Sequence, residues 1–120
     1  MALQASKELH TFPNPHPNNS YTITFATDEF TTLCPMTGQP DFAQLKVEYC
    51  PATKCLESKS IKQYLWSFRD EGTFHEDVTN NILNAMVSAC EPKWMRITGH
   101  FNIRGGIDFV IVATHGTPTK

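Results

Sequence analysis

The chain lacks a basic surplus, a long apolar run and a glycine-rich phosphate loop, and each absence removes a class of function. Ten Lys and Arg face twelve Asp and Glu, for a net charge of −2. Nucleic-acid binders normally carry a basic excess, so no nucleic-acid partner is expected, and any anion site must rest on a few local cations. No stretch approaches the ~20 apolar residues of a membrane span. The six glycines never form Gly-x-Gly-x-x-Gly, and 120 residues leave no room for a dinucleotide-binding half beside anything else. The length suits one domain with a modest core. No repeat or low-complexity segment is evident. The first residues lack the apolar stretch of a signal peptide, so the expected compartment is the cytoplasm, with reduced thiols. The four cysteines are Cys34, Cys50, Cys55 and Cys90. Cys50 and Cys55, with Pro51 between, fall outside the usual zinc spacings, and no second Cys/His pair follows. No metal is expected.

What is present reads as alternating strands around two helices. Residues 8–20 carry prolines at 13, 15 and 17, which exclude helix and favour an extended arm. Leu9 and Phe12 give that arm something to anchor with; the competing reading is a loose terminus. Residues 21–26 alternate, with Tyr21, Ile23 and Phe25 on one face, and residues 42–49 do so again. The chain between them is too long for a tight hairpin and long enough for a functional loop. A helix opens near Ser58, a plausible N-cap, with Ile61, Tyr64, Leu65 and Phe68 as its apolar stripe. Thr73 and Glu76 fit a capping box for a second helix, whose stripe is Val78, Ile82, Ala85, Met86 and Ala89 and which Glu91-Pro92 ends. Residues 94–103 and 107–113 read as strands around a glycine turn. The last looks apolar on both faces, which suggests burial on both sides. The expected architecture is α+β, two helices over one face of a four-stranded antiparallel sheet. Its edges and apolar outer face invite pairing with other copies. The expected organisation is an arm over residues 1–20, one domain over 21–116 and a loose tail over 117–120.

The stretch with chemical promise runs from Phe30 to Phe42. It sets Cys34 at the start of a Pro/Gly-punctuated loop and Asp41 at its close. A thiol attacks electrophilic carbon, and a carboxyl group moves protons beside it. A cysteine before proline is, equally, a small buried hydrophobe. Glu76 likewise has two readings, as helix cap or as ligand to something else.

Residues 29–43 (Glu-Phe-Thr-Thr-Leu-Cys-Pro-Met-Thr-Gly-Gln-Pro-Asp-Phe-Ala) closely resemble the active-site segment of the NADPH-dependent 7-cyano-7-deazaguanine reductases, the nitrile reductases of queuosine biosynthesis. Residues 56–64 (Leu-Glu-Ser-Lys-Ser-Ile-Lys-Gln-Tyr) resemble that family's Glu-Ser-Lys-Ser-hydrophobic-Lys-x-Tyr signature, and Phe74-His75-Glu76 follows where the family has it. The Phe12-Pro13-Asn14-Pro15 arm also looks familial. Two long motifs in the right order are more specific than either alone. The resemblance implies the tunnelling fold, strand-strand-helix-helix-strand-strand, in a homo-oligomer of stacked rings whose sheets join into a barrel. Active sites would lie between subunits, and this short form needs identical copies to close its ring. It implies that Cys34 adds to the nitrile of 7-cyano-7-deazaguanine as a covalent thioimide and that Asp41 supplies the proton. Leu56, Glu57 and Ser58 would line the substrate site, with Glu76 accepting hydrogen bonds from the guanine-like edge and His75 alongside. Lys59, Lys62 and Arg104 are the candidates for the phosphates of NADPH, a cofactor implied by the resemblance alone. Met36 and Gln44 sit at positions that look variable in the family. Two rival readings remain: a zinc-dependent pterin enzyme of the GTP cyclohydrolase type, which would need converging Cys and His ligands, and a non-catalytic purine- or pterin-binding oligomer, against which the presence of both Cys34 and Asp41 argues.

Overall fold

In the computed structural model, which describes residues 4–118, the elements run β1 (Thr11–Pro13), β2 (Ile23–Leu33), β3 (Pro40–Cys50), β4 (Lys54–Leu56), α1 (Ser58–Trp66), α2 (His75–Cys90), β5 (Trp94–Arg104) and β6 (Ile107–His115). Strands β2-β3-β5-β6 form one antiparallel sheet in that order. On β3 and β5 the pleat sends Ala43, Leu45, Val47, Tyr49, Met95, Ile97 and Phe101 to the covered face, all buried. Helix α2 lays Val78, Ile82, Leu83, Met86 and Cys90 into the same core. Fully burying a side chain of the Val, Ile or Met class contributes about 1.5–3 kcal/mol, so this layer carries most of the fold. Gly99 lets α2 sit close to the sheet: a Cβ there would stand 3.0 Å from Thr79 Oγ1 and 3.1 Å from Phe101 Cε1. The turn after β5 is a two-residue hairpin in which Gly105 (φ 59°) and Gly106 (φ 75°) supply the positive φ it needs.

Several sequence expectations change. There are six strands among the described residues, not four, because the arm is not loose: β1 pairs with β4, with Phe12 opposite Cys55. Ser6 N donates to Gln63 O and His10 N to Ser60 Oγ, so the arm also runs along α1. Strand β2 continues past residue 26 to Leu33, because a register shift between Thr27 and Phe30 absorbs the polar Asp28 and Glu29 that break the alternation. With β3 starting at Pro40, the connection shrinks to a six-residue hairpin loop, residues 34–39, closed by Cys34 N donating to Gln39 O at 2.8 Å. The N-cap of α1 is Glu57 rather than Ser58. The capping box at Thr73 does not form: the N-cap of α2 is Phe74, with no side-chain cap bond. Strand β6 is an edge whose outer face is uncovered, leaving Val110 and Val112 exposed rather than buried on both sides. The expected tail and the start of the arm lie in part outside the described residues.

Candidate active site

The Cys34 loop meets the start of α2 through one backbone clamp. Leu33 N donates to Glu71 O at 2.9 Å, and Thr73 N donates to Leu33 O at 3.0 Å. This short parallel bridge between Leu33 and Gly72 fixes the connection from α1 to α2 against the end of β2. The chain then enters α2 at His75 and Glu76, two and three residues after the clamped Thr73.

Within this corner Asp41 is the hub. It points to the covered face at the start of β3 and is 7% exposed. Its carboxylate faces His75 Nε2 at 3.5 Å and Arg104 Nε at 3.3 Å. His75 is held by aromatic packing: its ring stacks on Phe101 at 3.8 Å with 11° between planes, and Phe109 meets it edge-on at 5.4 Å. Arg104 also donates to Gln39 Oε1 at 3.1 Å and to the Pro40 carbonyl. It thereby ties the β5 end to the Cys34 loop, a role that its candidacy for cofactor phosphates did not foresee. Neither Phe101 nor Phe109 was singled out as a functional residue; Phe101 was legible as inward-facing, but not as the platform for a histidine.

Cys34 is half-buried and a free thiol. The Thr37 hydroxyl and the backbone N–H groups of Met36 and Thr37 face its sulfur and hold its pKa below the usual thiol value, against partial burial and the Asp41 charge. Hydrogen bonds to the charged form favour that form, and the thiolate is the nucleophile. Proline at 35 and glycine at 38 (φ 75°) bend the loop so that these donors turn back on Cys34.

Glu76 is exposed in the first turn of α2. Among the described residues its carboxylate has no hydrogen bond or ion pair, since the capping box that would have occupied it is absent. Glu57 is the opposite case: its carboxylate accepts from Lys59 N at 2.7 Å and Ser60 N at 2.8 Å. Those bonds lower its pKa, with Lys59 N–H the largest cause and Ser60 N–H next.

The remaining candidates lie apart from Cys34. A groove of about 950 Å³ runs between β2 and α1, lined by Leu56, Ser58 and Lys62 together with apolar Phe25, Leu65 and Trp66. None of Cys34, Asp41, His75 and Glu76 lines it. Lys59 is exposed on the first turn of α1. Among the described residues, no three His, Cys, Asp or Glu side chains converge as metal ligands.

Comparison with known proteins adds three findings. The family model described as QueF-like protein matches residues 40–120. The chain is 54% identical over 116 residues to the NADPH-dependent 7-cyano-7-deazaguanine reductase of Anaeromyxobacter dehalogenans (strain 2CP-C), covering 97% of this chain and 95% of that protein. It is 54% identical over 118 residues to the protein of the same name from Thioalkalivibrio sulfidiphilus (strain HL-EbGR7), covering 98% and 92% respectively. Among solved structures it is similar to the archaeosine synthase QueF-Like in the apo form, with a TM-score of 0.75 over 82% of this chain and 96% of that one. At 22% identity, that likeness speaks to the fold.

Proposed function

Because the chain belongs to the family of NADPH-dependent 7-cyano-7-deazaguanine reductases, we propose that the corner formed by Cys34, Asp41 and His75 is where its nitrile chemistry takes place. The protein is an oxidoreductase that converts the nitrile of 7-cyano-7-deazaguanine to the aminomethyl group of 7-aminomethyl-7-deazaguanine, a step of queuosine biosynthesis. NADPH, when bound, supplies the two hydrides, one from each of two molecules. The observation that carries the assignment is the convergence on the Cys34 loop of a pKa-lowered thiol, a buried carboxyl and a histidine.

The thiolate of Cys34 attacks the nitrile carbon. A C–S bond forms and negative charge develops on nitrogen. Asp41 protonates that nitrogen, giving a neutral thioimide held on Cys34. His75, 3.5 Å from Asp41, is placed to replace the proton. Its ring is held by Phe101 and Phe109, so a small closing of the gap to Asp41 brings the pair within hydrogen-bond reach. Once the first hydride is taken up at carbon, the C–S bond breaks, Cys34 leaves as the thiolate it began as and an imine remains. The second hydride at that carbon and a second proton on nitrogen complete the amine. Glu76 recognises the guanine-like edge: two adjacent N–H donors suit one carboxylate, and its oxygens are not engaged by its own helix.

The residues fit the cofactor in charge. Lys62 and Arg69 line the groove whose walls are apolar, and Lys59 stands on the neighbouring turn of α1. Arg104, turned to Asp41, serves the loop instead. Leu56, Ser58 and Lys62 do not line the Cys34 corner of their own chain. A complete site therefore joins this groove to the Cys34 corner of a second copy. The exposed Phe42, Val110 and Val112 on the outer sheet face, with β2 and β6 as free edges, supply surface for such a homo-oligomer, a barrel of stacked rings as in the tunnelling fold. No described helix is long and apolar enough to cross a membrane; the proposed compartment is the cytoplasm, where four free thiols stay reduced.

The test is intact mass. Protein mixed with 7-cyano-7-deazaguanine and no NADPH gains the substrate's mass, and Cys34→Ala does not. A mass shift that survives the substitution removes Cys34 as nucleophile. With NADPH added, two are consumed per product, and Asp41→Asn turns over more slowly with the fold intact.

A further inference from the structure

The N-terminal arm reaches the nucleophile through the α1–α2 connection. Lys7 Nζ lies 2.7 Å from Glu71 Oε2, donates to Ser67 O at 3.2 Å, and sits 4.0 Å from the centroid of the Phe68 ring. Three partners within one five-residue stretch thus share one ammonium. That stretch is otherwise open: Arg69, Asp70, Glu71 and Gly72 are all exposed. Phe68 is its inward anchor, packed on Phe30 and Tyr64. On its far side Glu71 O and Thr73 N grip both backbone groups of Leu33, the residue before Cys34. The same stretch leads directly into His75. A change in its path moves the nucleophile and the histidine relative to each other.

We propose that Lys7 is a positioning residue for the reaction. By holding Ser67, Phe68 and Glu71 together, it keeps the connection closed on Leu33 and sets Cys34 against Asp41 and His75. An exposed ion pair alone is worth little. Here the ammonium also caps the Ser67 carbonyl at the C-cap of α1 and covers an aromatic face. Among the described residues it is the one polar side-chain tie between the arm and a segment otherwise held by its own turn hydrogen bonds, Phe68 and the clamp on Leu33. A local opening of this kind is read by hydrogen exchange, because the two clamp amides exchange only when the connection lifts from Leu33. The proposal rests on the reading of Cys34 as the nucleophile.

The experiment compares wild type, Lys7→Met and the charge-keeping Lys7→Arg. Exchange is followed at Leu33 and Thr73, and the rate of covalent adduct formation at Cys34 is followed by mass without NADPH. Lys7→Met is expected to raise exchange at these two amides and to slow the adduct about three- to tenfold, the range an exposed ion pair and a cation–π contact supply together. Core amides of β3 and β5 stay protected, and the KM for NADPH stays as in wild type. Lys7→Arg, which keeps a cation for Glu71 and Phe68 and a donor for Ser67 O, recovers protection and rate at least in part, as a merely hydrophobic role for the lysine stem would not. Unchanged exchange in Lys7→Met, raised exchange with an unchanged adduct rate, or a Lys7→Arg variant no better than Lys7→Met overturns the proposal. If wild type itself forms no adduct, the reading of Cys34 fails instead, and exchange at Leu33 alone decides whether Lys7 holds the connection.

Discussion

The starts of the two helices are built on opposite plans. At α1 the capping groups are used locally. Glu57 gives its two carboxylate oxygens to Lys59 N and Ser60 N, Ser60 Oγ donates to Glu57 O and accepts from His10 N, and Glu57 N donates to His10 O. At α2 little is used. Phe74 caps nothing, Glu76 has no partner among the described residues, and nearby Thr32 holds a fully buried hydroxyl without one. A helix N-terminus with unsatisfied N–H groups and a waiting carboxylate costs stability unless something else completes it. The difference separates a carboxylate spent on its own helix from one left free, and on the proposed function the free one serves the substrate.

The two glutamates test this most severely. Glu76→Gln is expected to lower kcat/KM about 100-fold, a loss on the scale of a charge-assisted pair to substrate, while Tm stays at the wild-type value. Glu57→Gln is expected to do the reverse, lowering Tm by a few degrees and kcat/KM far less. The pH dependence adds a sign. The folded carboxylate of Glu57 has a lowered pKa, so its contribution is present above the usual carboxylate range and is lost as pH falls through the lowered value. The Gln variant has no such loss on the acid side. Steady-state kinetics and thermal melts check both, and a Glu76 variant that melts early would erase the contrast between the corners.

Much of the covered face was legible, because Leu45, Val47 and Tyr49 alternate with Lys46 and Glu48, and Ile97 and Phe101 with Thr98 and His100. The caps were not. Glu57 and Ser58 are both able to cap, and the choice is made by the arm, which holds Glu57 extended (φ −88°, ψ 128°) through its bond to His10. At α2 the Thr73 backbone is already committed to Leu33, so Thr73 sits in the clamp while Phe74 takes the cap position. Both outcomes depend on segments distant in sequence. The same holds for Arg104, whose charge was evident but whose partner Asp41 is brought to it only by β3 pairing with β5. Cys34 and Asp41 were recognisable by motif; the stacking of His75 on Phe101 was not.

The donors around Cys34 give a smaller and finer test. On the proposed mechanism the thiolate is the reacting form, so adduct formation is expected to rise with pH and level off above the folded thiol's pKa. That inflection is expected below the value of an ordinary thiol. Thr37→Val removes the largest cause of the lowering and should move the inflection upward, slowing the reaction near neutrality a few-fold while leaving the plateau rate at high pH. A pH–rate profile identical to wild type would mean that the Met36 and Thr37 backbone donors suffice, and the loop's shape rather than its hydroxyl would then tune the sulfur.

Thr32 offers the least effect and the sharpest sign. It lies opposite Asp41 in the β2–β3 ladder, is fully buried, and its hydroxyl has no partner among the described residues. Replacing a hydrogen-bonded threonine by valine destabilises a protein. Replacing an orphaned one does not, since the desolvation cost of the hydroxyl disappears with it. Thr32→Val is therefore expected to hold or raise stability, by up to about 1 kcal/mol in a denaturant melt, where an ordinary buried threonine would lose that much. A fall in stability would show that the hydroxyl is already bonded, and that this corner keeps less in reserve than α2's bare N-terminus implies.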